Sequence, residues 1–276
     1  MLAFLVLWLY WQVSSALLLL GALICLPNTT WLMWTYHSLS SRYLLAIRYT
    51  RPARPTERFE AEPCMYCCNH RCWGDFFMDN CVVGGGAYMA RWLAAVAVPA
   101  SAVLGWFTFT TEPFTRSPRN KEHIYRVARA LVRRGHNIIC YPEGTRNLGH
   151  QSKDLKWGLV RFAYREKVKV QMVMTTNKEV VWNERAGAVR RGITCGVFHG
   201  PVLSPDDHET IEAWCAAFQA DWDALWSRSH GTEPMVPWEP TLGTRARHSP
   251  DRLIAARRAL VAVAAVAAVW VGVLGH

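Results

Sequence analysis

Two short apolar stretches, residues 64–68 and 137–141, each run directly into a polar turn that contains glycine. The first turn reads Asn69, His70, Arg71, Cys72, Trp73, Gly74, Asp75; the second reads Pro142, Glu143, Gly144, Thr145, Arg146. Ahead of the second stretch, residues 120–135 have the pattern of an amphipathic helix. Asn120 can cap it, Ile124, Val127, Ala128 and Leu131 make the apolar stripe, Arg133 and Arg134 sit at its negative end, and Gly135 stops it. Strand, helix and strand in this order predict an α/β domain. Further strands are expected over residues 168–175 and 193–198, and helices from residue 75, over 153–165 and over 207–227. The last of these carries Ile211, Trp214, Cys215, Phe218, Trp222 and Leu225 on one side. The triplet Gly84, Gly85, Gly86 reads as a turn, because no Gly-Lys-Ser/Thr follows to make a phosphate loop.

The first turn places a histidine near a carboxylate. On a continuous helix the five-residue step from His70 to Asp75 would rotate them about 140° apart. If instead His70 ends a strand, Gly74 permits a bend and Asp75 opens a helix, the carboxylate curls back onto the imidazole. Such a pair is half of a triad. The carboxylate fixes the tautomer through one ring nitrogen and leaves the other to take a proton from a substrate hydroxyl, so no protein nucleophile is required. The second turn ends in Arg146, whose planar fork of donors suits phosphate oxygens. One turn offers a base and the other an anion clamp.

The ordered set Asn69-His70-x4-Asp75, then Phe114-Thr115-Arg116, then Pro142-Glu143-Gly144-Thr145-Arg146 resembles the signature of the glycerolipid acyltransferases, the family of lysophosphatidic acid and glycerol-phosphate acyltransferases. The resemblance covers roughly residues 61–205. It implies a glycerolipid-acyltransferase-type sheet flanked by helices, with His70 as general base and Asp75 orienting it. Arg116, Glu143, Gly144, Thr145 and Arg146 are implied in holding the acceptor and its phosphate. It further implies acyl-CoA as co-substrate, a lysophospholipid as acceptor, no cofactor and no metal. The family's next block usually places prolines in an apolar strand, where this chain has Lys169 and Gln171. A protein that kept the fold only to bind lipid would be expected to lose the base or the carboxylate, and both are present.

Half of the 276 residues are hydrophobic, fourteen are tryptophan, and the formal charge is +10. Residues 1–26 are apolar except for Gln12, Ser14 and Ser15, and as a helix would run roughly 39 Å, enough to cross a hydrocarbon core of about 30 Å. A membrane segment is therefore expected, either spanning or folded back as a hairpin. Residues 31–47, aromatic but interrupted by His37, Ser38, Ser40, Ser41 and Arg42, suit an interfacial helix. Arginines 42, 48, 51, 54 and 58 follow, which by the positive-inside rule keeps this side cytoplasmic, at the endoplasmic reticulum or another intracellular membrane. Residues 87–109, nearly uncharged apart from Arg91, read either as a membrane-dipping, acyl-lining hairpin or as a core helix, with Pro99 against one straight span.

Basic residues bordering apolar segments suit anionic head groups, and no nucleic-acid-binding motif accompanies them. Among the nine cysteines, adjacent Cys67 and Cys68 on a strand point to opposite faces and do not suit one metal ion; the odd, irregularly spaced set fits a reducing compartment. The expected organisation is a membrane segment with interfacial helix over residues 1–50 and a catalytic domain over 51–230, entered through a Pro-punctuated linker at 51–58. A linker over 231–252 and a hydrophobic C-terminal anchor over 253–276 follow.

Overall fold

The computed structural model describes residues 2–25, 29–53, 64–92, 96, 98–107, 111–114 and 121–240. The expected C-terminal anchor, most of the linker before it, and residues 54–58 lie outside the described residues. Ten strands and eight α-helices are described: α1 Leu2–Cys25, α2 Thr29–Leu39, β1 Arg48–Pro52, β2 Met65–Cys68, α3 Asp75–Val83, β3 Ala87–Arg91, α4 Pro99–Phe107, β4 Thr111–Phe114 and α5 Lys121–Arg133. They continue with β5 Ile138–Cys140, α6 Trp157–Arg165, β6 Val170–Thr175, α7 Lys178–Val181, β7 Trp182–Asn183, β8 Ala188–Val189, β9 Thr194–Leu203, α8 Ile211–Ser229 and β10 Met235–Pro237.

Eight strands form one sheet in the order β10-β1-β9-β6-β2-β5-β3-β4. The inner run from β6 through β2, β5 and β3 to β4 is parallel, and β9 is antiparallel to β6. Parallel sheets need both faces covered, and here they are. One apolar layer gathers α1, α2, α3 and Cys68; the other gathers α5, α6, α8 and Cys67, so the two neighbouring thiols do enter opposite faces. Cys67 meets Cys140 there, their sulfurs 3.3 Å apart. The α8 stripe is core: Trp214, Phe218, Trp222 and Leu225 are buried, and Thr210 caps the helix by accepting the Ala213 N–H at 3.1 Å.

Two expectations change. The residues read as linker at 51 and 52 and at 235–237 belong to the sheet, with β1 pairing parallel to β9 and antiparallel to the edge strand β10. Their prolines misled because an edge strand and a strand end both tolerate a missing N–H. The helix expected from residue 153 starts only at Trp157. In the fourth block, Gln171 lies fully buried in the inner strand β6, where its Nε2 donates to Gly200 O at 3.0 Å across a register shift between β6 and β9.

The N-terminal helix is long and apolar enough to cross a membrane by length and composition. It does not stand apart from the domain. Leu7, Trp11 and Ser15, spaced four apart on one helical face, are buried, and Trp11 packs on Phe77 at 4.6 Å and edge-on to Trp182 at 5.7 Å. The polar residues that interrupt its apolar run are the ones that dock it. Gln12 Oε1 accepts the Ala100 N–H at 3.0 Å, Ser15 Oγ lies 2.8 Å from Ser101 Oγ, and Ser14 Oγ 2.8 Å from Tyr36 Oη. Because Ser14 meets Tyr36 while Tyr10 meets Ser40, α2 runs back along α1, and the pair is a helical hairpin. The opposite face of α1 stays exposed and apolar, with Leu5, Val6, Leu9, Val13, Leu17 and Leu20. Within residues 87–109 the described residues include strand β3 and a nine-residue helix that begins at Pro99, where proline is tolerated.

Candidate active site

Strands β2 and β5 are parallel neighbours, with Cys67 opposite Cys140, so the two polar turns leave the same edge of the sheet side by side. Carboxyl ends of parallel strands are where open α/β sheets bind ligands. The turns are also bonded to each other. His70 N donates to Glu143 Oε2 at 3.0 Å, Asn147 Nδ2 donates to Glu143 Oε1 at 2.7 Å, and Asn147 N donates to His70 O at 2.7 Å. Asn69 fastens the first turn to β6, its side chain exchanging hydrogen bonds with Thr175 O at 3.1 Å and Thr175 N at 2.9 Å.

His70 and Asp75 meet as the spacing predicts. Nδ1 lies 2.7 Å from Asp75 Oδ2. Asp75 opens α3 and is fully buried, and its carboxylate also accepts the backbone N–H of Arg71 at 2.6 Å and of Cys72 at 3.1 Å. Gly74 serves differently from the expectation. Its φ of −70° is open to any residue, whereas a Cβ there would stand 3.0 Å from Met78 Cε and 3.3 Å from Trp182. Close approach is therefore the reason for glycine at 74, while Gly144, at φ 67°, is needed for the left-handed bend itself.

Behind the histidine lie further charges. Lys178 is fully buried, with Nζ 2.9 and 3.0 Å from the two oxygens of Asp79, 3.5 Å from Asp75 Oδ1, and donating to Asn69 O at 2.7 Å. Tyr141 stacks on the His70 ring, centroids 4.4 Å apart, and its hydroxyl donates to Asp79 Oδ2 at 3.0 Å. Burial alone would push the Asp75 carboxyl up; the Lys178 ammonium and the His70 contact outweigh it and hold the group below its usual value. For Asp79 burial wins over Lys178, with the Asp75 charge adding to it, and its value rises to about 6.

The histidine opens onto a cleft of about 410 Å³. Trp11, Trp73, Phe76 and Val98 give it an apolar wall; Arg91, Arg146 and Arg185 bring cations, and Gly144 and Thr145 complete it beside His70. The Arg146 guanidinium pairs with Glu184 at the end of the β7–β8 hairpin. Glu143, grouped with the substrate-binding residues on resemblance, does not meet this cleft. It is buried, raised above its usual value chiefly by that burial, and its carboxylate is used up in joining the two turns. Arg116 lies outside the described residues.

Residues 51–176 match the family described as Acyltransferase. A 1-acyl-sn-glycerol-3-phosphate acyltransferase of Cocos nucifera is 22% identical over 176 residues, which cover 63% of this chain and 57% of that protein. The chain therefore spans little more than half the length of that curated relative. The crystal structure of PlsC, the 1-acyl-sn-glycerophosphate (LPA) acyltransferase of Thermotoga maritima, shares the fold, with a TM-score of 0.65 at 13% identity over 84% of this chain and 99% of that one. The Acyltransferase match covers a little under half of the chain, and the curated relative and the solved structure that the chain is similar to are both glycerolipid acyltransferases. The family match contains both turns. It ends before Lys178, and neither that lysine, Asp79 nor Arg185 was singled out from the sequence. Two signals pointed toward them or their neighbours. Asp75 and Asp79 are like charges four apart on one helical face, which calls for a cation between them, and Arg91 is the lone charge in a long apolar run.

Proposed function

We propose that this protein is a membrane-bound O-acyltransferase that moves an acyl chain from acyl-CoA to the free hydroxyl of lysophosphatidic acid, giving phosphatidic acid. The observation that carries the reading is the 2.7 Å His70–Asp75 contact opening onto an arginine-lined cleft. With Nδ1 held by Asp75, Nε2 is the nitrogen left to meet a hydroxyl. It takes the hydroxyl proton as the oxygen bonds to the thioester carbonyl carbon. The tetrahedral oxyanion then collapses, the carbon–sulfur bond breaks, and the imidazolium returns the proton to the leaving thiolate, releasing free CoA. No metal or cofactor takes part.

Arg146, with Arg116, holds the acceptor's phosphate so that the hydroxyl meets the base, and Gly144 and Thr145 shape that subsite. A terminal phosphomonoester carries nearly two charges, which favours lysophosphatidic acid over diesters. The apolar wall of Trp11, Trp73 and Phe76 suits acyl chains, and the exposed apolar face of α1 suits the hydrocarbon of a bilayer, with the catalytic domain on the cytoplasmic side.

The test is transfer of labelled acyl groups from acyl-CoA to a panel of lysophospholipids by membranes containing the protein, beside H70A. Acylation of lysophosphatidic acid that falls by about 10³-fold or more in H70A is the expected result. Preferential acylation of another lysophospholipid or of glycerol 3-phosphate would replace the acceptor and keep the base. Equal activity in H70A and wild type would remove the mechanism.

A further inference from the structure

Behind the His70–Asp75 contact lies a cluster of buried charges. Asp75 and Asp79 lie one helical turn apart on α3, both fully buried, an arrangement that repels itself without a counter-ion. The counter-ion arrives from a distant part of the chain. Lys178 sits on the one-turn helix α7, entered through Asn177 at φ 61°, and its ammonium distributes its donors among Asn69 O, Asp79 and Asp75. Its neighbour Glu179 takes a forked contact from Arg71, Nε at 3.0 Å and Nη2 at 2.8 Å. The short segment is thus joined at two points to the loop that carries His70.

Stability alone gives little reason for this cluster. Desolvating an ammonium and two carboxylates costs several kcal/mol for each ion, and packed apolar side chains of similar volume commonly do at least as well. We propose that Lys178, together with Asp79, is a positioning device for the His70–Asp75 pair. It keeps Asp75 ionised and aimed at Nδ1, and it leaves behind the ring one negative charge that the imidazolium neutralises when His70 takes a proton. The proposal rests on the reading of His70 as general base.

The charge balance supports it. Two carboxylates and one ammonium are one negative charge in excess once Asp79 is ionised, above about pH 6. Burial opposes the Lys178 charge, and the Asp75 and Asp79 charges outweigh it, holding the ammonium above its usual value. Of the other groups around the imidazole, Tyr141, Cys68 and Cys72 are pushed up by burial and stay neutral, while Arg71 and Glu179 offset each other. Glu143 is spent on backbone and amide donors, and Arg91, Arg146 and Arg185 line the cleft in front. Tyr141, touching both Asp79 and the His70 ring, links the two halves.

The test uses the full chain in membranes, with kcat, KM and pH–rate profiles for lysophosphatidic acid in wild type, H70A, K178M and D79N, and thermal unfolding of each. Loss of activity in H70A establishes the base independently of Lys178. K178M is expected to lower kcat by about 10²-fold with KM changed less than about threefold, within the range of a lost general-base arrangement. D79N keeps the lysine and tests the charge alone. Taking a carboxylate from behind the ring disfavours the imidazolium, so the acid limb of kcat moves to lower pH by about half a unit or more. Should K178M fail to fold, the D79N profile decides. A folded K178M with kcat within about threefold of wild type would overturn the proposal, as would a D79N acid limb that stays in place while only stability falls.

Discussion

The His70 turn and the Arg146 turn leave neighbouring parallel strands at one edge of the sheet, yet the first is held in a buried charge network and the second stands half in solvent. Asp75 has no exposure and is contacted by His70, two backbone N–H groups and Lys178, whereas the Arg146 side chain is 35% exposed and pairs with Glu184 on a two-residue-stranded hairpin. The contrast fits the roles proposed for the two sides. A proton moves over a fraction of an ångström, and fixed charges act on it most strongly where water is excluded. A charged head group has to enter and leave. Its clamp must stay reachable, and that costs rigidity.

The comparison predicts different losses on the two sides. D75N should give the larger loss, lowering kcat by about 10²- to 10⁴-fold with KM nearly kept, as measured by steady-state acyl transfer. The amide would also turn a donor toward the Arg71 or Cys72 N–H, costing about 1–3 kcal/mol in denaturant unfolding. The pH dependence of folding changes with it. Asp75 is held below its usual value, so the stability it contributes is present above the ordinary carboxylate range and lost as pH falls through the lowered value; D75N loses that part of the acid sensitivity. R146A should act mostly through KM, lowering kcat/KM for an anionic acceptor by about 10- to 100-fold, the range expected for one charge-assisted contact of roughly 1.5–3 kcal/mol. If R146A instead abolishes kcat and leaves KM alone, the division between a proton side and an anchoring side fails.

How much of this could be read from the residues depended on sequence distance. The His70–Asp75 closure and the Arg146 turn are local, written within a few residues by a strand, a glycine and a helix start. Helix α5 and strand β5 after it were legible for the same reason, through the helix's period and its stop at Gly135. Lys178 was not, because its meaning depends on a fold that returns α7 beneath a turn many residues earlier, and a lysine beside apolar residues reads as a solvated surface group. The pair Asp75 and Asp79 was the available warning. Likewise Gln12, Ser14 and Ser15 looked like blemishes in a membrane helix, when each is a contact that lays α1 against α4 or α2. Strand β1 and the edge strand β10 escaped because prolines at their ends resemble linker.

The smallest expected effect is also the one that most sharpens the contrast. In the absence of an acceptor, Glu184 occupies part of the Arg146 fork, so an entering phosphate competes with a carboxylate already there. E184Q keeps an oxygen acceptor and removes its charge. The KM for lysophosphatidic acid should then fall by about two- to fivefold with kcat unchanged, the scale of a partly exposed ion pair of about 0.5–1 kcal/mol. Because Arg146 is partly exposed, the difference between E184Q and wild type should shrink as salt is raised from low ionic strength. A rise in KM would mean the reverse: Glu184 holds the guanidinium in place for the phosphate, and the clamp is as preorganised as the base. Kinetics at two salt concentrations separate these readings, since competition weakens with screening while a geometric support persists.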